Sequence, residues 1–91
     1  MSSYILITFR KDLIIMRVTC KSRIHKLRTQ KNLTQSKLAV YLGISPRTYS
    51  DYETGRCKIP LDILICLARY YDVDLNYISG ISNIRKEYPN A

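Results

Sequence analysis

The sequence predicts an all-α fold of five short helices between residues 22 and 80, preceded by a segment of strand-like composition. Three observations predict it. Apolar residues recur at spacings of three and four, which gathers them on one face of a helix. Side chains that cap helix N-termini stand ahead of these stretches: Ser22, Thr34, Ser45 and Asp74. Glycines close several of them, at Gly43, Gly55 and Gly80.

The elements follow in order. Ser22 is expected to cap a first helix, roughly 23–31, with Ile24 and Leu27 inward. Thr34 caps a second, roughly 35–42, with Leu38, Ala39 and Leu42 inward. Gly43 stands where the chain must take a positive φ to leave the helix, a conformation glycine adopts without a Cβ clash. Ser45 caps a third helix, and Pro46 occupies its first position, where a missing N–H costs nothing. That helix runs to about Glu53, with Tyr49 and Tyr52 inward and Gly55 beyond its end. Pro60 is expected to open a fourth helix, with Asp62 in its first turn and Leu61, Leu64, Ile65, Ala68 and Tyr71 on its buried face. Asp74 caps a short fifth helix over 75–79, and residues 81–91 read as a polar tail.

Residues 1–21 differ in character. Tyr4–Phe9 and Leu13–Thr19 are β-favouring runs around Arg10-Lys11-Asp12, so a strand or hairpin arm is expected. The alternative is an extension ahead of the domain, since Met16 offers a second start.

Ninety-one residues make one domain with a modest core, too small for an enzyme cleft of ordinary size. The net charge is +8, from 15 Lys and Arg against 7 Asp and Glu, which favours a polyanion. The excess is concentrated in residues 1–31, which carry eight basic groups against Asp12 alone. Cys20, Cys57, Cys66 and the single His25 form no metal-ligand pattern, so no metal and no cofactor are expected. Scattered cysteines suit a reducing cytoplasm. No stretch approaches the roughly 20 apolar residues of a membrane span.

Residues 33–53 are the informative unit: two helices joined by a tight glycine turn, the geometry of a helix-turn-helix. A helix fits the major groove of B-DNA, where each base pair shows its own donor and acceptor pattern. The outward residues of the second helix are Ser45, Pro46, Arg47, Ser50 and Asp51. Arg47 has the fork for O6 and N7 of guanine, and the serines suit several bases or a phosphate. Asp51 either accepts from a cytosine amino group or orients Arg47 four residues earlier. Tyr41 is placed to donate to a phosphate. The plainer reading of each of these is a solvated surface side chain.

Residues 22–80 resemble the helix-turn-helix domain of the phage repressor and Cro family, also called the xenobiotic response element family. The matching residues are Leu33-Thr34-Gln35 with Leu38-Ala39, Leu42-Gly43-Ile44-Ser45, and Tyr49-Ser50-x-Tyr52-Glu53-x-Gly55-Arg56. Ile59-Pro60, Leu64, Leu67-Ala68 and Asn76–Gly80 extend the match. The resemblance implies a five-helix, repressor-like DNA-binding domain. It implies that Gln35 donates to a phosphate and can touch the recognition helix, and that Thr54, Gly55 and Arg56, with Lys58 beside them, hold the DNA backbone. Arg28 and Glu53 match a pair that bridges the first helix to the end of the third. Pro46 departs from the pattern, because the family often has a polar base reader there.

The leading expectation is therefore a cytoplasmic, homodimeric transcriptional repressor that reads double-stranded DNA, and not an enzyme. The alternative is an antitoxin-like interaction module that takes a protein partner through the N-terminal arm.

Overall fold

The computed structural model describes residues 20–89, and the expected strand or hairpin arm lies outside the described residues. Helix α1 is already turning at residue 20 and runs to 30. Ser22 is therefore an exposed residue within α1 and not its cap. Asn32 ends this region in the left-handed conformation, at φ 55°. The N–H of Leu33 then donates to the Arg28 carbonyl at 3.1 Å, and that of Asn32 to the Thr29 carbonyl at 3.1 Å. Asparagine tolerates this conformation better than most residues with a Cβ.

Helix α2 spans Gln35–Leu42 and α3 spans Pro46–Thr54. The Thr34 hydroxyl accepts from the Lys37 N–H at 3.1 Å, and the Ser45 hydroxyl accepts from the Thr48 N–H at 3.1 Å. Between the helices Gly43 sits at φ 70°, and the Ile44 N–H returns to the Ala39 carbonyl at 3.0 Å. Ile44 packs its side chain against the core, which fixes the turn from inside. The caps expected at Thr34, Gly43, Ser45 and Gly55 are all formed.

Helix α4 spans Leu61–Tyr71 and α5 spans Leu75–Ile78. Pro60 is the N-cap of α4, in extended backbone, rather than its first helical residue. Leu61, expected on the buried face, is 66% exposed. Burial along α4 rises toward its C-terminal half, where Leu67 and Ala68 are fully buried; Leu64 is only half-buried, and Leu61 lies past the edge of the core. The Asp74 carboxylate caps α5 by accepting from the Tyr77 N–H at 2.9 Å.

All five helices meet in one core. Ile24 and Leu27 come from α1, Leu38 and Ala39 from α2, Tyr49 and Tyr52 from α3, Leu67, Ala68 and Tyr71 from α4, and Tyr77 and Ile78 from α5. Each fully buried leucine or isoleucine contributes about 1.5–3 kcal/mol. The segment after α5 folds back on this body. The Asp74 N–H donates to the Lys86 carbonyl at 2.9 Å, and the Tyr88 N–H donates to the Asp72 carboxylate at 3.2 Å. Arg23 of α1 donates to the Ser82 carbonyl and to Asn83 Oδ1, with its guanidinium 4.1 Å from the centre of the Tyr77 ring.

Candidate nucleic-acid interface

Helix α3 separates its residues by face. Tyr49, Tyr52 and Glu53 are buried. Ser45, Pro46 and Arg47 are exposed at its start, Ser50 and Asp51 are half-buried along the same outer stripe, and Thr54 is exposed at its end. The five expected base-reading positions thus share one face. Two side chains are already committed. The Ser45 hydroxyl caps the helix and lies 2.8 Å from the Thr48 hydroxyl. The Thr54 hydroxyl donates back to the Asp51 carbonyl at 3.3 Å. Arg47 and Asp51 form no ion pair among the described residues. A base preceding an acid at this spacing is the weaker order on a helix, and such pairs are worth only about 0.2–0.5 kcal/mol.

The inner face is held by one buried carboxylate. Arg28 of α1 grips Glu53 with two bonds, Nε to Oε2 at 2.7 Å and Nη2 to Oε1 at 3.0 Å. Its Nη1 donates to the Leu33 carbonyl at 2.8 Å, which ties the α1–α2 connection to the same group. The Gln35 amide donates to Glu53 Oε1 at 3.2 Å. Burial pushes the Glu53 carboxyl up, but the bonds from Arg28, Tyr49 and Gln35, with the Arg28 charge, outweigh it and hold the group below its ordinary value. Burial likewise pushes the Tyr49 and Tyr71 hydroxyls well up. Neither hydroxyl meets a partner in full hydrogen-bond geometry among the described residues, so the Tyr49 contact with Glu53 is looser than the other two. Gln35 thus orients α3 from the first turn of α2, and this bond takes one of the two hydrogens on its amide nitrogen.

The backbone-facing candidates lie at the two ends of this unit. Gly55 caps α3 at φ 81°, and Arg56 and Lys58 follow it, both exposed. The Gly55 N–H turns inward to the Tyr52 carbonyl and the Cys57 N–H to that of Asp51. Tyr41, 52% exposed on α2, rests its ring 4.7 Å from that of Tyr70 on α4. Cys57 and Cys66 are exposed free thiols; Cys20 is half-buried, and burial pushes its thiol up to about 11. No described helix is long and apolar enough to cross a membrane.

A helix-turn-helix family model matches residues 24–78, which contains the whole of this geometry. The chain belongs to the helix-turn-helix family. Its resemblance to the repressor and Cro domain is borne out. It is 43% identical over 61 residues to the uncharacterized HTH-type transcriptional regulator YobD of Bacillus subtilis, covering 67% of this chain and 54% of that one. It is 32% identical over 69 residues to the HTH-type transcriptional regulator AnsR of the same organism, covering 76% and 60%. The HTH-type transcriptional activator BcrR of Enterococcus faecalis is 33% identical over 54 residues, covering 59% and 26%. The chain spans about half the length of the first two curated relatives it matches. No solved structure matches it.

Two contributors to this surface escape sequence reasoning. Tyr70 supports Tyr41, and Lys21 reaches the loop after α3, donating to the Thr54 carbonyl at 3.5 Å. Lys21 and Thr54 are 33 residues apart, so no local pattern joins them.

Proposed function

We propose that this helix-turn-helix chain is a sequence-specific, double-stranded-DNA-binding transcriptional regulator whose α3 reads the major groove. The observation that carries the proposal is the outer stripe of α3. Ser45, Pro46, Arg47, Ser50 and Asp51 face outward together, while Glu53 anchors the opposite face to α1 and α2. Arg47 is the principal base reader, with guanine as its preferred partner. Pro46 offers apolar contact to a thymine methyl. Gln35, Tyr41, Arg56 and Lys58 hold phosphates on either side, while the Thr54 hydroxyl and the Gly55 N–H, expected to do the same, are taken up by the Asp51 and Tyr52 carbonyls.

One recognition helix reads only a few base pairs, so the chain acts as a homodimer on half-sites about 34 Å apart. Repression is the simplest outcome, since a protein seated on a promoter blocks access to it without a further contact. Its place of work is then the cytoplasm. The relatives' names as regulators, one of them an activator, support regulation in general. The test is binding to DNA fragments flanking the gene, against random duplex at the same salt. Tighter binding to at least one fragment supports the reading, and equal affinity for all of them sinks sequence-specific regulation.

A further inference from the structure

The loop after α3 lies within reach of a cation from a distant element. Lys21 of α1 places its ammonium 3.5 Å from the Thr54 carbonyl. Its stem lies over Gly55, where an added Cβ would come within 3.0 Å of Lys21 Cδ and 3.2 Å of Nζ. Lys21, Arg56 and Lys58 line one open cleft of about 370 Å³ with Tyr52, Ile59 and Leu64, and no acidic side chain lines it among the described residues.

The Thr54 carbonyl explains why Lys21 sits there. It belongs to the last turn of α3, where the helix dipole attracts a cation. That contact is long and takes one of the three hydrogens of an ammonium. No carboxylate pairs with Lys21 among the described residues, so its charge is drawn to the loop without being neutralised. The loop's own N–H groups at Gly55 and Cys57 are turned inward, which leaves anion binding there to side chains.

We infer that Lys21 is a DNA-backbone contact, completing with Arg56 and Lys58 a cationic clamp on the strand beside the base-reading helix. The inference rests on the DNA-binding reading above. It makes α1 part of the interface and assigns one residue of the N-terminal charge excess to a phosphate. Gly55 has a second task in this arrangement: without a Cβ it leaves room for the lysine stem.

The test is the salt dependence of binding to a labelled random-sequence duplex, measured with the full chain between about 50 and 200 mM salt. Lys21→Met keeps an apolar stem over Gly55 and removes the charge; Lys21→Gln removes the charge and leaves a shorter, polar stem; Lys21→Arg keeps the charge. The plot of log affinity against log salt should be shallower by about 0.9 for the Met and Gln variants. The Arg variant should run parallel to wild type, and all four proteins should be fully folded at the assay temperature, the Met and Gln variants less stable by no more than about 1 kcal/mol. A wild-type slope in Lys21→Met, whatever its affinity, makes Lys21 a structural prop and overturns the inference alone. A wild-type chain with no affinity for any duplex overturns the DNA-binding reading and the inference together.

Discussion

Arg28 and Glu53 form a forked ion pair, Nε to Oε2 at 2.7 Å and Nη2 to Oε1 at 3.0 Å, that joins the middle of α1 to the inner face of α3. The side chains are 15% and 3% exposed, so the carboxylate is almost fully withdrawn from water. Removing one partner strands the other. Arg28→Ala should lower unfolding stability by about 3 kcal/mol, the low end for a buried pair because the guanidinium keeps some contact with water. Arg28→Lys should fall between that variant and wild type, since an ammonium cannot reproduce the fork. Urea unfolding of the three proteins measures both effects.

The same carboxylate sets the acid limit of stability. Its folded pKa lies below the ordinary value of 4.5, so its contribution is complete above that value and is lost as pH falls through the lower folded one. Glu53→Gln should be less stable than wild type at neutral pH, with a flatter decline below about pH 4.5. At the alkaline end, burial raises the Tyr49 and Tyr71 hydroxyls above 10.0, so stability should fall as pH rises past that value. Thermal unfolding midpoints across pH read both limbs.

Gly43 and Gly55 share a left-handed backbone and differ in surroundings. An alanine at Gly43 meets open space, whereas at Gly55 it meets the Lys21 stem at 3.0 Å. Each substitution should cost about 1–2 kcal/mol from the backbone alone. Gly55→Ala should cost more than Gly43→Ala, and the excess should shrink in a Lys21→Ala background. Equal costs at the two glycines, unchanged by Lys21→Ala, would contradict that packing.

Arg23 holds the segment after α5 through Ser82, Asn83 and the face of Tyr77. Arg23→Ala should speed amide hydrogen exchange at Ser82, whose N–H bonds the Asn76 carbonyl, and cost about 1 kcal/mol. Unchanged exchange there would mean that the Asp72 and Asp74 contacts hold the segment unaided.

Helix ends were the legible part of this fold, because a cap is a local device. Thr34, Ser45, Asp74 and Gly43 act within four residues of where they stand, and each does in the structure what its type predicts. Ser22 misled for the same reason: a serine with the right neighbours looks like a cap even when the helix has already begun. The docking of residues 81–89 was illegible, since a polar composition reads as a tail and its partners at Arg23, Asp72 and Asp74 come from other elements. The site divides likewise. The outer stripe of α3 follows from helical periodicity, and the reach of Gln35 to the recognition helix from the family resemblance, while the approach of Lys21 to Gly55 depends on tertiary placement.

The central claim is that the outer face of α3 reads base sequence, and selection of bound duplexes from a random pool tests it most directly. Wild-type chain should enrich one two-fold-related motif, and Arg47→Ala should lose the preference at one base pair per half-site, a loss of about 1–3 kcal/mol confined to that position. A pool that stays random, or a motif that Arg47→Ala leaves intact, would contradict it.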